Sequence, residues 1–491
     1  SNRLIIMDEI HVTRETDESS THKDAVKYIE LIARYAENTK FVLLTATPMY
    51  NISSEIVWLL NILLLNDKRA PIRTTDIFTD DGIKIIEDPD GTVEGELYVE
   101  TPQMRLIRAS RGYVSYVRGT NPNTFPIKLE PNDTETYTPA PLYHVVAGGI
   151  VSSDEDKVYL PIENMKFYRN KTSQFQWNKI KSIILWADGD ETVEKNTGFS
   201  QRQTRASNIV FPSSTEDTDV GEIADAGFDG CFKLKKAGGK YVLRDPGNSE
   251  RFKNNKNFLH VENISAYSAK IHNIIRSCTL NKGIGFIFSQ YLKSGTTIMA
   301  MALEQNGFTR YKGTYNDDNL IEPGLDIGDK FCAKHCKYYR ELTLEQQKKF
   351  IPAKYILLDG NTPKPLLNKL IKECRGEGEH PNINGEHIKI IIGSRVTEQG
   401  LSLHRVREVH IMDPWFHLNQ MEQAVGRAVR NFSHMKLPEN KRNVTIFLHT
   451  ASLPTGQLDT NNIETPDERV YRLAYNKRIH MAKIERILKK N

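Results

Sequence analysis

Residues 388–429, IKIIIGSRVTEQGLSLHRVREVHIMDPWFHLNQMEQAVGRAV, decide the fold. Ile388–Ile392, apolar except for Lys389, has buried-strand length, Val409–Met412, apolar except for His410, is a second such stretch, and from Leu418 to Val429 the apolar residues recur at helical spacing. Outward from this stretch the rhythm continues. Upstream lie helix Ala266–Leu280, strand Ile284–Phe288, helix Ser294–Gln305, strand Tyr355–Leu358 and helix Lys364–Glu373. Downstream come strand Val444–Leu448 and a last helix from about Asp467 to Leu488. Such alternation predicts an α/β fold with parallel sheets, in which functional groups collect at the carboxyl ends of strands.

The amino-terminal end repeats the pattern on a smaller scale. Leu4–Met7 predicts a strand, Ala25–Tyr35 a helix and Phe41–Leu44 a second strand. Between Asn66 and Glu262 the rhythm breaks into acidic segments punctuated by Gly, Pro and Ser, which suggests an irregular α+β insertion. Lys312–Phe350 interrupts the second α/β region and is expected to be a surface excursion. The expected organisation is a partial first lobe at 1–65, an inserted region at 66–262, a second lobe at 263–455 and a basic helix at 456–491.

At 491 residues the chain is too long for a single core. A composition of 39% hydrophobic and 26% charged residues excludes predominant disorder. The apolar run Ile56–Leu65 is too short to span a bilayer, so no membrane association is expected. The start, SNRLIIMDE, has no secretory pattern, and five cysteines make no disulfide framework, which points to a soluble protein in a reducing, intracellular compartment. The net charge of +4 does not by itself signal nucleic acid. Basic residues gather after Glu468, where they form either a solvated helix face or a nucleic-acid contact.

Asp8 and Glu9 close the first strand. Two adjacent carboxylates there can divide the work of nucleotide hydrolysis: Asp8 suits a hydrated Mg²⁺, and Glu9 can polarise an attacking water. Arg427 and Arg430 are three positions apart, so they share a helix face and can fork onto phosphate oxygens. Cys332, His335 and Cys336, with Cys374 as a fourth, match no common zinc spacing. Ordinary thiols are the expectation there, not a zinc site.

Asp8-Glu9-Ile10-His11 resembles the Walker B (DExH) motif of superfamily 2 helicases, and Thr45-Ala46-Thr47 resembles motif III. Gly393–Leu403 is similar to motif V, and Gln423-Ala424-Val425-Gly426-Arg427-Ala428-Val429-Arg430 to motif VI. Gly285–Gln290, Leu358–Thr362 and Ile411–Trp415 resemble the corresponding segments of Swi/Snf-like translocases. Arg111–Tyr116, Phe125-Pro126, Ser207–Pro212 and Arg430–Val444 are similar to the helicases of nucleocytoplasmic large DNA viruses, in the group that contains the poxvirus early transcription factor small subunit and nucleoside triphosphate phosphohydrolase I.

The resemblance implies RecA-like lobes, with ATP and Mg²⁺ as ligands. It implies catalytic roles for Asp8, Glu9, Arg427 and Arg430. It also implies coupling of ATP to movement by His11, Thr45, Thr47, Gly400, Gln423 and Gly426, and nucleic-acid contacts by Ser289, Gln290, Ser394 and Arg395. The implied partners are DNA, or alternatively RNA, and a viral RNA polymerase or early transcription factor subunit, in the virion and infected-cell cytoplasm. Superfamily 2 motors also need a phosphate-cradling Walker A loop ahead of Walker B, and Gly238-Gly239-Lys240 comes too late and lacks the following hydroxyl. The expectation is therefore the C-terminal portion of a longer ATPase, inactive by itself. Two alternatives are a non-catalytic two-lobe assembly subunit and a cellular Swi/Snf-type translocase.

Overall fold

Continuous apolar strands of four to six residues need cover on both faces, and in the second unit strands such as Ile284–Phe288, Lys354–Leu358 and Ile390–Gly393 are buried along almost their whole length. The computed structural model describes residues 2–13, 20–49, 52–80, 82, 84–86, 100–116, 123–133, 135–139, 143–146, 149–151, 162, 165–187, 197–212, 225–235, 239–244, 257–313, 318–360, 362–377, 382–394, 401–454 and 463–490. The chain divides into two units: Ser1–Gly119 with Phe416–Asn419 and Leu473–Asn491, and Thr120–Trp415 with Gln420–Arg472.

In the first unit, β1 (Arg3–Asp8) and β2 (Thr39–Leu44) pair in parallel, with α1 (Ser20–Tyr35) between them in sequence. Their inward residues Ile5, Met7, Phe41 and Leu43 pack with Ala33, Ile62 and Leu65, while Leu4, Ile6, Val42 and Leu44 are exposed. The apolar run that is too short for a membrane is α2 (Ile56–Asn66), almost wholly buried in this unit. Helix α3 (Pro102–Ser110) has Pro102 in its first turn, and its N-cap Thr101 accepts a bond from the Met104 N–H. Leu106 and Ala109 of α3 join Met481, Ile484 and Leu488 of the C-terminal helix (Pro466–Lys489) in one core. Tyr113 donates to Asp67 at 2.8 Å and Tyr116 to the Lys489 carbonyl at 3.1 Å, which gives the Arg111–Tyr116 segment a structural role.

The second unit is built on a nine-stranded sheet. Its strands are β3 (Ile127–Leu129), β4 (Tyr137–Pro139), β5 (Lys166–Lys171), β6 (Ile284–Phe288), β7 (Thr309–Arg310), β8 (Lys354–Leu358), β9 (Ile390–Gly393), β10 (Val406–Ile411) and β11 (Asn443–Ser452). The order is β7-β8-β9-β6-β10-β11-β5-β4, with β3 also on β11, and every pairing is parallel except that of β4 with β5. Helices α4 (Gln174–Ala187), α5 (Thr197–Asn208), α6 (Ala269–Leu280), α7 (Thr297–Gln305), α8 (Lys364–Arg375) and α9 (Leu418–Ala428) accompany it. Helix α7 is preceded by a π-helical turn, Leu292–Thr296, inside the stretch that the periodicity reads as one helix.

Two boundaries drawn from sequence need correction. Residues 66–262 are not one insertion: those up to Gly119 belong to the first unit, and those beyond supply β3, β4 and β5 to the large sheet of the second. Short strands flanked by acidic, Gly-rich sequence hide this because the partner of β3 and β5, β11, lies more than 250 residues away, and β4 joins the sheet only through β5. Lys312–Phe350 is likewise not a surface excursion throughout. Phe331, Cys332 and Ala333 are buried, and Phe331 stacks on Phe308 at 5.4 Å between ring centres.

Candidate active site

The parallel register of the first unit pairs Asp8 with Leu44, so the next residues, Glu9 and Thr45, leave the carboxyl edge of the sheet at the same level. Asp8 and Glu9 are both exposed, and Asp8 Oδ1 accepts the Glu9 N–H at 3.0 Å. Glu9 has φ of 52°, in the left-handed region that residues with a Cβ seldom occupy. This backbone kink ends the strand and begins the short 3₁₀ turn Ile10–Thr13, which buries His11.

His11 Nδ1 is 2.8 Å from Thr45 Oγ1 and 3.2 Å from Glu9 Oε2. A proton on Nδ1 serves both oxygens, and the Thr45 hydroxyl in turn accepts the Thr47 N–H at 3.0 Å. Four of the expected residues therefore form one hydrogen-bonded chain, Glu9–His11–Thr45–Thr47. The hydroxyl of Thr47 is buried without a hydrogen-bond partner among the described residues.

In the second unit, Arg427 lies in the last turn of α9 and Arg430 just beyond it, both half-buried. The Leu403 N–H donates to the Arg427 carbonyl at 2.9 Å, and the Arg430 guanidinium bonds the Ser402 hydroxyl. These contacts bind the end of α9 to the last residues of the motif V resemblance. Gln423 is half-buried on the same helix, and a Cβ at Gly426 would meet no atom within 4 Å. Arg395 and Gly400 lie outside the described residues.

The expected nucleic-acid contacts look different in place. Ser289 has no exposed surface, its hydroxyl bonds Asp413, and Gly295 packs against it with no room for a Cβ. Gln290 gives its N–H to Asp413 Oδ2 at 3.1 Å and its side-chain amide to the Pro414 carbonyl at 2.9 Å. Ser394 is also buried, its N–H bonded to the Leu358 carbonyl at 3.1 Å. The Ser289 hydroxyl is thus engaged by Asp413, and the Ser394 N–H ties the end of β9 to that of β8. From sequence, Asp413 enters only within the Ile411–Trp415 segment and has no role of its own; a carboxylate just past a strand end and directly before a proline is the signal that marks it. Burial pushes the Asp413 carboxyl up, against the bonds from Ser289 and Gln290.

Cys332 Sγ lies 3.3 Å from His335 Nδ1. Among the described residues no group of three His, Cys, Asp or Glu side chains is arranged to hold a metal. Cys374 is fully buried on α8, where burial pushes its thiol up to about 12. Among the described residues no helix is long and apolar enough to cross a membrane.

Comparison with known proteins adds a second line of evidence. Residues 331–432 match the helicase conserved C-terminal domain. Over 99% of its length the chain is 25% identical to a provisionally named ATP-dependent RNA helicase of Acanthamoeba polyphaga mimivirus. Over 92% it is 24% identical to the early transcription factor large subunit homologue of African swine fever virus, isolate Tick/Malawi/Lil 20-1/1983. It is also 23% identical, over 99%, to a provisionally named helicase of Frog virus 3. The chain spans 40%, 38% and 39% of the lengths of these relatives.

Proposed function

We propose, from its similarity to viral proteins named as helicases, that the chain carries much of the machinery of a nucleic-acid-dependent ATPase acting in viral transcription. The observation that carries this reading is the chain of contacts from Glu9 through His11 to Thr45 and Thr47 at the ends of two adjacent parallel strands. A carboxylate at a strand end is placed to polarise water, and a histidine bonded to both that carboxylate and a neighbouring strand end can report its state. Arg427 and Arg430 are suited to stabilise charge on a transferring phosphoryl group, because guanidinium stays ionised and bonds oxygens in a fork.

Asp8 has the chemistry for Mg²⁺. Its carboxylate is exposed, with one oxygen bonded only to a neighbouring amide, which leaves oxygen donors for a hydrated hard cation. When bound, the ion supplies positive charge to the phosphates. Glu9 is left to orient water, and His11 to hold a proton between Glu9 and Thr45.

DNA is the proposed polymer, with RNA distinguished by direct competition, and a transcription-complex subunit is the proposed protein partner. Relatives named as an ATP-dependent RNA helicase and as a transcription factor subunit homologue support a nucleic-acid polymer and a transcription-complex partner. The test is phosphate release by the full-length protein with and without DNA or RNA. Glu9→Gln and Arg427→Ala should each lower stimulated turnover by about a hundredfold or more. Unchanged turnover in both variants overturns the assignment.

A further inference from the structure

Lys270 has no exposed surface, yet it is charged and fully engaged. Its Nζ lies 2.6 Å from Asp467 Oδ2, 2.9 Å from the Met412 carbonyl and 3.0 Å from Asn208 Oδ1. An ammonium has three N–H donors, and these three acceptors use them all. The four residues come from helix α6, the start of the C-terminal helix, the end of β10 and the end of α5.

The connections continue outward. Asn208 Nδ2 donates to Asp413 Oδ1 at 3.0 Å, and Asp413 holds Ser289 and the Gln290 N–H at the end of β6. Asp467 Oδ2 also accepts the Ala451 N–H from β11 at 2.9 Å. Among the described residues, Lys270 is therefore the basic side chain at the centre of a buried polar network that fixes the turn Met412–Pro414 from several sides. That turn follows β10 and precedes α9, the helix that bears Arg427.

Stability alone does not account for such a group. A buried ion pair costs several kcal/mol of desolvation per ion, and well-packed apolar residues of similar size often serve as well. What the ammonium offers and a methionine does not is directional attachment to three separate segments at once. Burial pushes the carboxyls of both Asp413 and Asp467 up, and the Lys270 charge opposes that push.

We propose that Lys270 is a positioning residue, which sets the Met412–Pro414 turn and through it the arginine-bearing helix α9 for ATP hydrolysis. The proposal rests on the ATPase reading given above. Lys270→Met alone leaves two buried carboxylates without a counter-charge and is expected to destabilise the protein. The decisive variant is Lys270→Met combined with Asp467→Asn, which removes both charges of the pair and keeps a hydrogen-bonding amide, while Asp413 keeps its bonds from Asn208, Ser289 and the Gln290 N–H.

In the full-length protein this double variant should melt close to the unmodified protein, yet its amides from Met412 to Gln420 should exchange with solvent about tenfold faster, and kcat should fall at least about tenfold with KM for ATP within about twofold. Unchanged exchange in that segment overturns the proposal, and so does unchanged kcat in a folded, active double variant. If the unmodified protein shows no nucleic-acid-stimulated hydrolysis, the ATPase reading falls instead. The positional claim is then decided by the exchange measurement alone, since faster exchange upholds the hold of Lys270 on the turn and unchanged exchange removes it.

Discussion

His11 Nδ1 and Thr45 Oγ1 lie 2.8 Å apart although the residues are 34 positions apart in sequence. Their meeting follows from the parallel pairing of β1 with β2, and it joins the acidic strand end to the hydroxyl-rich one. A Thr45→Val substitution keeps the shape and deletes the bond. It should cost about 1 kcal/mol of stability, as expected for one hydrogen bond. Stimulation of phosphate release by nucleic acid should fall severalfold while KM for ATP stays constant. Steady-state kinetics with and without polymer, alongside thermal melting, would separate the two effects, and retained stimulation would remove His11–Thr45 from the coupling path.

The left-handed backbone at Glu9 stores strain that glycine would not feel. Glu9→Gly relieves roughly 1–2 kcal/mol of steric cost and adds about 0.5–1 kcal/mol of unfolded-state entropy. Stability should therefore hold constant or rise by up to about 1 kcal/mol while hydrolysis is lost. A clear drop in denaturation midpoint would show that the side chain, rather than the kink, supports the fold.

Gly426 occupies a helical position with open space where a Cβ would lie. Glycine inside a helix costs about 1 kcal/mol relative to alanine, so Gly426→Ala should stabilise the protein by up to that amount. The same methyl group would intrude wherever a nucleotide approaches α9, and ATP turnover should fall. A more stable variant with full turnover would place the glycine outside the ATP site.

Two buried groups give stability opposite pH dependences. Burial raises the Glu304 carboxyl from 4.5 to about 7, although Tyr355 and the Leu320 and Ile321 N–H groups bond it. The folded state thus favours the protonated form. Its contribution is complete below about pH 4.5 and is lost as pH rises to about 7, amounting to as much as about 3 kcal/mol. Burial lowers His434 from 6.5 to about 4, so its contribution is complete above about pH 6.5 and is lost as pH falls toward 4. Urea unfolding at several pH values should show a decline from pH 5 to 7 that Glu304→Gln flattens. An identical pH profile in that variant would contradict the assignment.

Much of this architecture is legible in the sequence because it follows local rules. Ile284–Phe288 is five apolar residues closed by a polar turn, and the strand occupies those residues and no others. Leu418–Ala428 shows its amphipathic period equally clearly. The pairing of Glu9 with His11 and Thr45 is also accessible, since strand ends in a parallel sheet share one edge. Lys270, Asn208 and Asp467 are not, because a buried polar network is written in contacts across 62 to 205 positions, and each residue alone reads as surface. The three short strands β3, β4 and β5 escape for the same reason: β3 and β5 take their strand character from β11, and β4 takes it from β5, not from their own composition.

The register of β1 against β2 fixes Glu9 and Thr45 by where the strands stop, and the chain between them has no part in setting that distance. Helix α1 and its flanking turns can consequently lengthen, shorten or acquire new surface without disturbing the two groups. Divergent relatives are thereby free to vary that stretch. A single residue inserted within either strand would instead turn every following side chain to the opposite face and separate the pair.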